Sequence, residues 1–182
     1  MNEIWLDSVE RCPSEHCDER ECTLTDIDVL VIHNISLPPA QSDSDFENRY
    51  VEDFFTGQLD HSLHPYFQDI ATLRVSAHLY IKRNGHVVQF VPLNKRAWHA
   101  GVSCFEGRGK CNDFSIGIEM QGTDDMPFTD IQYQKLTEIT RQIQDLFPKI
   151  NKKHIVGHSD IAPGRKTDPG PYFDWQRYLS DL

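Results

Sequence analysis

The chain has 182 residues with 18 basic and 28 acidic side chains, which gives a formal net charge of −10. The length fits one domain with one sizeable core, and 38% hydrophobic with 25% charged residues is typical of a globular protein. The negative charge disfavours nucleic acid and anionic membrane surfaces, because their phosphates repel it. We therefore expect a single domain over residues 1–182, with neither nucleic acid nor membrane as a partner.

Residues 1–24 are predicted to form an N-terminal arm. They show no positive n-region, apolar run or small-residue cleavage site, and no stretch of the chain approaches the ~20 apolar residues of a membrane span. If the chain is the full-length product of its gene, the protein is expected in the cytosol. A secreted protein whose signal peptide has been cleaved would show the same N-terminal sequence features. The five cysteines are odd in number and fit a reducing compartment. Cys12, Cys17 and Cys22 are interpreted as free thiols, with a metal knuckle as the alternative.

The first strand is predicted at Val29–Ile32, a short β-branched run that His33 and Asn34 follow. Residues 37–74 come next; they are rich in Pro, Ser, Asp and Gly, with one helix-like patch at Phe46–Phe55. So long a connection is often functional, and we predict that it forms a wall or lid of a site. It is also predicted to be mobile, because its composition suggests few apolar anchors.

A hairpin is predicted at Val75–Pro92, where two alternating runs flank Asn84-Gly85, the preferred pair for a type I′ turn. Another alternating segment follows at Ser115–Met120. Its isoleucines share one face, and Glu119 lies on the other.

A helix is predicted over Thr129–Phe147, with Thr129 and Gln132 as a capping box. A short strand at His154–His158 and a final helix from Asp174 complete the chain. Strands mixed with helices predict an α/β fold, with a mixed central sheet and helices packed on its faces.

Three residues at or after strands, His33, His158 and Asp168, have the chemistry of a zinc site. Two histidines and a carboxylate leave the fourth tetrahedral position for water, whose pKa the metal lowers to ~7. The chain has nine histidines, and a histidine at the end of a strand can equally be a hydrogen-bonded core or surface residue that binds no metal.

Two further residues could carry chemistry. Lys166 precedes Asp168 by two residues in a rigid Pro/Gly loop, where a lysine could stabilise an oxyanion; a solvated turn is the alternative. Glu119 could act as the general base if it points into a cleft, and would otherwise be an edge residue facing solvent.

Long segments of the chain resemble the N-acetylmuramoyl-L-alanine amidase type 2 family, and most closely its AmpD-type 1,6-anhydro-N-acetylmuramyl-L-alanine amidase branch. The likeness runs from about Trp5 to Trp175. The segments that carry it are VIHNISLPP, LRVSAHLYIKRNGHVVQFVPLNKRAWHAGVS, GRGKCNDFSIGIEMQGTD and GHSDIAPGRKTDPGPYFDW.

The resemblance implies one Zn²⁺ in a cleft at the strand ends, held by His33, His158 and Asp168. It also implies a catalytic carboxylate at Glu119 and an oxyanion-stabilising lysine at Lys166. The implied reaction is hydrolysis of the amide between (1,6-anhydro-)N-acetylmuramic acid and L-alanine of the stem peptide. The expected setting is the recycling of wall fragments in the bacterial cytoplasm, by a monomer whose partner is the 1,6-anhydro-muropeptide.

Residues that could contact this substrate are spread along the chain. Asn34 could hydrogen-bond the amide or sugar, Arg74 and Arg108 could pair with stem-peptide carboxylates, and Trp98 and His99 could line the pocket wall. In each case a surface charge or a core side chain is the alternative.

Three other functions compete with this one. A periplasmic amidase of the same fold would act on intact peptidoglycan and would need a signal. A non-catalytic peptidoglycan-binding module would typically lack the third ligand, which Asp168 supplies here. A structural zinc site would be a closed cage of four ligands, rich in cysteine.

Overall fold

The computed structural model describes residues 2–182. The strands are β1 (Glu10–Arg11), β2 (Cys17–Asp18), β3 (Val29–Ile35), β4 (Leu79–Ile81), β5 (Val87–Gln89), β6 (Arg96–Ala97), β7 (Cys104–Phe105), β8 (Arg108–Gly109), β9 (Ser115–Gln121) and β10 (Ile155–Gly157). The α-helices are α1 (Tyr50–Phe55), α2 (Pro65–Asp69), α3 (Asp130–Leu146), α4 (His158–Ile161) and α5 (Trp175–Asp181). No helix within this range is long and apolar enough to cross a membrane.

Six strands form one mixed sheet in the order β1-β5-β4-β9-β3-β10. The β4–β5 hairpin is antiparallel, and the other neighbouring pairs are parallel. The central strand β9 is buried along its whole length, as expected where both faces of a parallel strand pair are covered. The mixed α/β fold predicted from the sequence is confirmed.

Each face of the sheet packs against its own apolar core. On one face, Ile32 and Ile118 lie in a cluster with Leu136 and Ile143 of α3. The cluster on the other face includes the buried side chain of Tyr80 together with residues of α1 and α2. Side chains alternate along a strand, so His33 and Glu119 do not face α3, whereas Val29 and Val31 of β3 are buried in a third, smaller apolar cluster.

The long helix and its caps agree with the sequence prediction. Thr129 is the N-cap of α3, and its hydroxyl accepts the Gln132 N–H at 3.3 Å while the Gln132 side chain accepts the Thr129 N–H at 3.0 Å. Asp174 caps α5 by accepting the Arg177 N–H at 2.9 Å. These caps satisfy backbone donors that have no partner inside the helix.

Strand β3 is longer than the apolar run predicted. It continues through His33 and Asn34 to Ile35, because its pairing with β9 extends as far as Gln121. The two polar residues therefore lie inside the strand and not just beyond its end.

The hairpin turn also differs from the type I′ prediction. The Gly85 N–H donates to the Lys82 carbonyl at 2.8 Å, and Gly85 has φ +82° whereas Asn84 is not left-handed. A type I′ turn needs positive φ at both central residues. The turn is therefore a three-residue loop in which glycine alone takes the left-handed position.

Residues 37–74 are better anchored than their composition suggested. Two short helices, α1 and α2, lie within this segment. Its buried apolar side chains are Leu37, Phe46, Val51, Phe54, Phe55, Leu59, Phe67 and Ile70. The prediction that this segment has few apolar anchors is thus wrong, whereas its mobility stays a prediction.

The N-terminal arm is part of the fold. Strand β1 pairs in parallel with β5 at the sheet edge, β2 pairs antiparallel with β6, and Leu6 is buried in the α3-side core. All five cysteines are free thiols, as predicted for the cysteines of the arm.

Candidate active site

The three predicted metal ligands meet at one edge of the sheet. His33 lies near the end of β3, and His158 begins α4 directly after β10, which runs parallel to β3. Asp168 follows in the next loop. The distances are 3.0 Å between the two Nδ1 atoms, 2.9 Å from His33 Nδ1 to Asp168 Oδ2, and 3.1 Å from His158 Nδ1 to the same oxygen. Within residues 2–182 this is the one cluster of three or more such side chains that could hold a metal ion.

The hydrogen bond behind His158 shows which ring nitrogen faces the cluster. Its Nε2 lies 3.1 Å from the Ala100 carbonyl oxygen, and a carbonyl can only accept. The neutral His158 ring therefore carries its proton on Nε2 and directs its Nδ1 lone pair at Asp168. The other ring of the cluster, His33, directs its Nε2 at His99 Nδ1 at 3.0 Å.

The donor set fits a zinc ion. Zn–N and Zn–O bonds of ~2.0–2.1 Å at tetrahedral angles place ligand atoms about 3.3 Å apart, close to the separations within the cluster. Lone pairs on His158 and Asp168 that converge at 3.1 Å repel one another unless a cation or a shared proton lies between them. Two imidazoles and one carboxylate also leave a tetrahedral position open.

Electrostatics keep these ligands in the forms that bind metal. Burial lowers the pKa of His33, so its imidazole is neutral at neutral pH. Burial alone would raise the pKa of Asp168, but in the metal-free cluster a proton between its carboxylate and the rings of His158 and His33 holds that pKa below its ordinary range. The carboxylate is therefore ionised and available as a ligand.

Glu119 is the register partner of His33, one strand across in the sheet. It is 8% exposed, and its Oε2 has no hydrogen-bond partner. Burial raises the pKa of Glu119 well above its ordinary value, Asp168 adds to this, and Lys166 opposes it. A buried carboxyl group with a raised pKa suits proton transfer near neutral pH.

These residues line a cleft of about 470 Å³. The metal cluster, Glu119 and Lys166 form its polar side. An apolar part of the lining comes from residues 37–74, which include Phe54, Tyr66 and Ile70. The segment is thus a wall of the cleft. Pockets that bind small molecules typically have such a lining, which is largely apolar with a few convergent polar groups.

Comparison with known proteins identifies the family. The family model described as N-acetylmuramoyl-L-alanine amidase matches residues 23–171. The chain belongs to this amidase family.

Individual relatives agree with the family match. The chain is 55% identical over 177 residues to the 1,6-anhydro-N-acetylmuramyl-L-alanine amidase AmpD of Haemophilus influenzae, covering 97% of this chain and 94% of that protein. A crystal structure of a Se-Met AmpD derivative superposes with a TM-score of 0.91 at 49% identity, over 100% of this chain and 98% of the other.

A more distant solved structure contains a ligand. The amidase AmiD of E. coli, in complex with the substrate anhydro-N-acetylmuramic acid-L-Ala-D-gamma-Glu-L-Lys, matches with a TM-score of 0.62 and 29% identity. The match covers 90% of this chain and 60% of that one.

The residues predicted to contact substrate in this amidase separate into two groups. Asn34, Trp98 and His99 lie in the lining of the cleft. Arg74 and Arg108 do not belong to the lining formed by the described residues. The Arg74 guanidinium donates to the carbonyls of its own turn, and the Arg108 guanidinium bonds Asp28 at 2.8 Å and lies 4.0 Å over a phenylalanine ring. Contact of either arginine with stem-peptide carboxylates stays a prediction.

Asn34 has a contact that the sequence did not predict. Its amide group donates to Asp124 Oδ1 at 2.7 Å and to the Pro169 carbonyl at 3.0 Å. It therefore ties the loop that carries Asp168 to the strand that carries His33. No local pattern marks Asp124, which lies 90 residues from Asn34 along the chain.

Arg165, the neighbour of Lys166, has a structural role that the sequence pattern did not predict. Its guanidinium donates to the carbonyls of Ala100 and Val102 at 2.8 and 2.7 Å. It thus fixes the backbone segment whose Ala100 carbonyl orients His158. Its place in the Gly-Arg-Lys run of the loop was the available signal.

Proposed function

We propose that this chain is a zinc-dependent amidase that hydrolyses the amide bond between 1,6-anhydro-N-acetylmuramic acid and the L-alanine of a stem peptide. The observation that carries the proposal is the cluster of His33, His158 and Asp168 in the lining of the cleft, with Glu119 beside His33. The AmpD relatives at 51–55% identity are 1,6-anhydro-N-acetylmuramyl-L-alanine amidases, which supports this substrate.

The proposed cofactor is one zinc ion held by the two Nδ1 atoms and Asp168 Oδ2. When bound, zinc supplies a Lewis acid that polarises the amide carbonyl and makes water more acidic. The chain's own contribution is to direct the Nδ1 atoms of His33 and His158 at the site, because each ring has its Nε2 held by a hydrogen-bond partner inside the protein.

Glu119 and Lys166 are proposed as the catalytic side chains. Glu119 accepts the proton of the attacking water as the new C–O bond forms, and returns it to the L-alanine nitrogen as the C–N bond breaks. Lys166 belongs to the lining of the same cleft, and its ammonium group is proposed to stabilise the negative charge that develops on the carbonyl oxygen. The raised pKa of Glu119 favours holding the proton between the two steps.

The proposed partner is a soluble anhydro-muropeptide, and the proposed compartment is the bacterial cytoplasm. The five free thiols support a reducing environment. A monomer is sufficient for this activity, because every proposed catalytic and metal-binding residue lies in the one cleft.

The experiment that tests this function measures release of tripeptide from purified 1,6-anhydro-N-acetylmuramyl-tripeptide. Activity should disappear with a chelator and return with zinc, and intact sacculi should be poor substrates. Glu119→Gln, which keeps the shape of the side chain, should bind zinc and lose most of the rate. Activity on sacculi alone would favour wall remodelling, and tight fragment binding without hydrolysis by the zinc-loaded wild type would favour a binding module.

A further inference from the structure

His99 is buried directly behind His33, on the side away from the other ligands. The two rings meet edge to face, with centroids 5.1 Å apart and planes at 84°. His33 Nε2 lies 3.0 Å from His99 Nδ1, and His99 Nε2 lies 3.2 Å from the hydroxyl of Ser115. Both nitrogens of His99 are thus engaged with protein atoms.

The direction of this chain of hydrogen bonds is fixed at its far end. The Ser115 hydroxyl lies 2.6 Å from the Cys111 carbonyl oxygen, which can only accept. The hydroxyl hydrogen is used in that bond, so its oxygen accepts from His99 Nε2–H. His99 Nδ1 is then unprotonated and accepts from His33 Nε2–H, which leaves the lone pair of His33 on Nδ1.

The backbone holds His99 in this place. Its own N–H and that of Ala100 both donate to the Asn112 side-chain oxygen, at 3.1 and 2.8 Å. The ring lies against Gly117 of β9, where an added Cβ would be 2.5 Å from His99 Cγ. A side chain at position 117 would therefore displace the ring, so glycine is required there.

We propose that His99 is a positioning residue, and that the Ser115–His99 chain holds His33 as the Nε2–H tautomer with Nδ1 directed at the metal. This inference rests on the proposed zinc site and adds how its ligand His33 is oriented. It also gives His99 a role other than substrate contact, because neither of its ring nitrogens is left for a ligand. The two histidine ligands are oriented differently: His158 by a backbone carbonyl, and His33 by a second histidine.

The test compares His99→Phe with His99→Asn. Phenylalanine keeps a ring but has no acceptor, whereas the asparagine oxygen can take the position of His99 Nδ1. In metal-free protein, ¹⁵N NMR of the His33 imidazole should show the Nε2–H tautomer in wild type and in His99→Asn, and a mixture in His99→Phe. Zinc affinity, measured by competition with a chelator, should fall about 10–100-fold in His99→Phe and recover at least in part in His99→Asn.

Circular dichroism shows whether each variant is folded. If His99→Phe does not fold, Ser115→Ala serves instead, since it removes the acceptor of His99 Nε2–H and should also give mixed His33 tautomers. An unchanged His33 tautomer with zinc affinity within about twofold of wild type, in a folded variant, would overturn the proposal. The tautomer measurement needs neither zinc nor substrate, so a wild-type protein that bound no zinc would reject the proposed function separately.

Discussion

His33 and Glu119 lie opposite each other in the parallel pairing of β3 with β9. Register partners point to the same face of a sheet, with Cβ atoms about 5 Å apart. This single pairing therefore places a metal ligand next to the proposed base. A slip of either strand by one residue would turn its own site residue towards α3, and the buried Ile32 and Ile118 on the other face disfavour such a slip.

Asp168→Ala is expected to weaken zinc binding by more than about 100-fold, since loss of a ligand should exceed the 10–100-fold effect of losing an outer partner. Chelator competition measures the affinity. Asp125→Ala, an exposed aspartate near the cleft loop, is the matched control and should bind zinc as wild type does. Equal affinity in both variants would remove Asp168 from the ligand set.

Glu119→Gln is expected to stabilise the metal-free protein. Burial raises the pKa of Glu119 above its ordinary value of 4.5, so the folded state holds this proton to higher pH than the unfolded chain. The stability that Glu119 contributes is therefore greatest below pH 4.5 and is lost as pH rises through the folded pKa.

Urea unfolding in the presence of a chelator measures the effect of Glu119→Gln. The variant should unfold with a free energy about 0.5–2 kcal/mol higher than wild type at pH 7, and with a smaller difference near pH 4.5. Glu15→Gln, at an exposed position, should show no such pH dependence. A lower stability of Glu119→Gln at pH 7 would contradict the expected cost of ionising Glu119 in the cleft.

Lys166→Ala is expected to lower kcat about 10²–10³-fold with little change in KM, because an oxyanion forms only in the transition state. Steady-state kinetics on the anhydro-muropeptide separate the two constants. Lys152→Ala, an exposed lysine of a 3-10 turn, is the control. A raised KM with kcat intact would show that Lys166 binds the ground state instead.

Asn34→Ala is expected to loosen the loop that carries Asp168. Two hydrogen bonds are lost and the Pro169 carbonyl loses its partner, which should cost about 1–3 kcal/mol of stability and weaken zinc binding about tenfold. Asn151→Ala removes the cap of a short 3-10 turn and should lower stability without changing zinc affinity. Normal zinc affinity in Asn34→Ala would mean that the loop is held by its other contacts.

The sequence by itself predicted the mixed α/β fold, the capped helix α3 and the residue types of the metal site. Periodicity and capping depend on neighbours along the chain, so they can be read locally. The Thr129–Gln132 box is an example, because both partners lie within one turn. The ligand set itself came from a family resemblance, since the spacing of nine histidines does not show which two meet.

Only the tertiary structure decided the roles around that site. His33 and His158 are 125 residues apart and become neighbours because β10 pairs with β3. Likewise, strand pairing and loop packing placed His99 behind a ligand and brought Arg108 to Asp28. A side chain's role in the cleft depends on which groups lie across from it, and partners that are distant in sequence leave no local pattern.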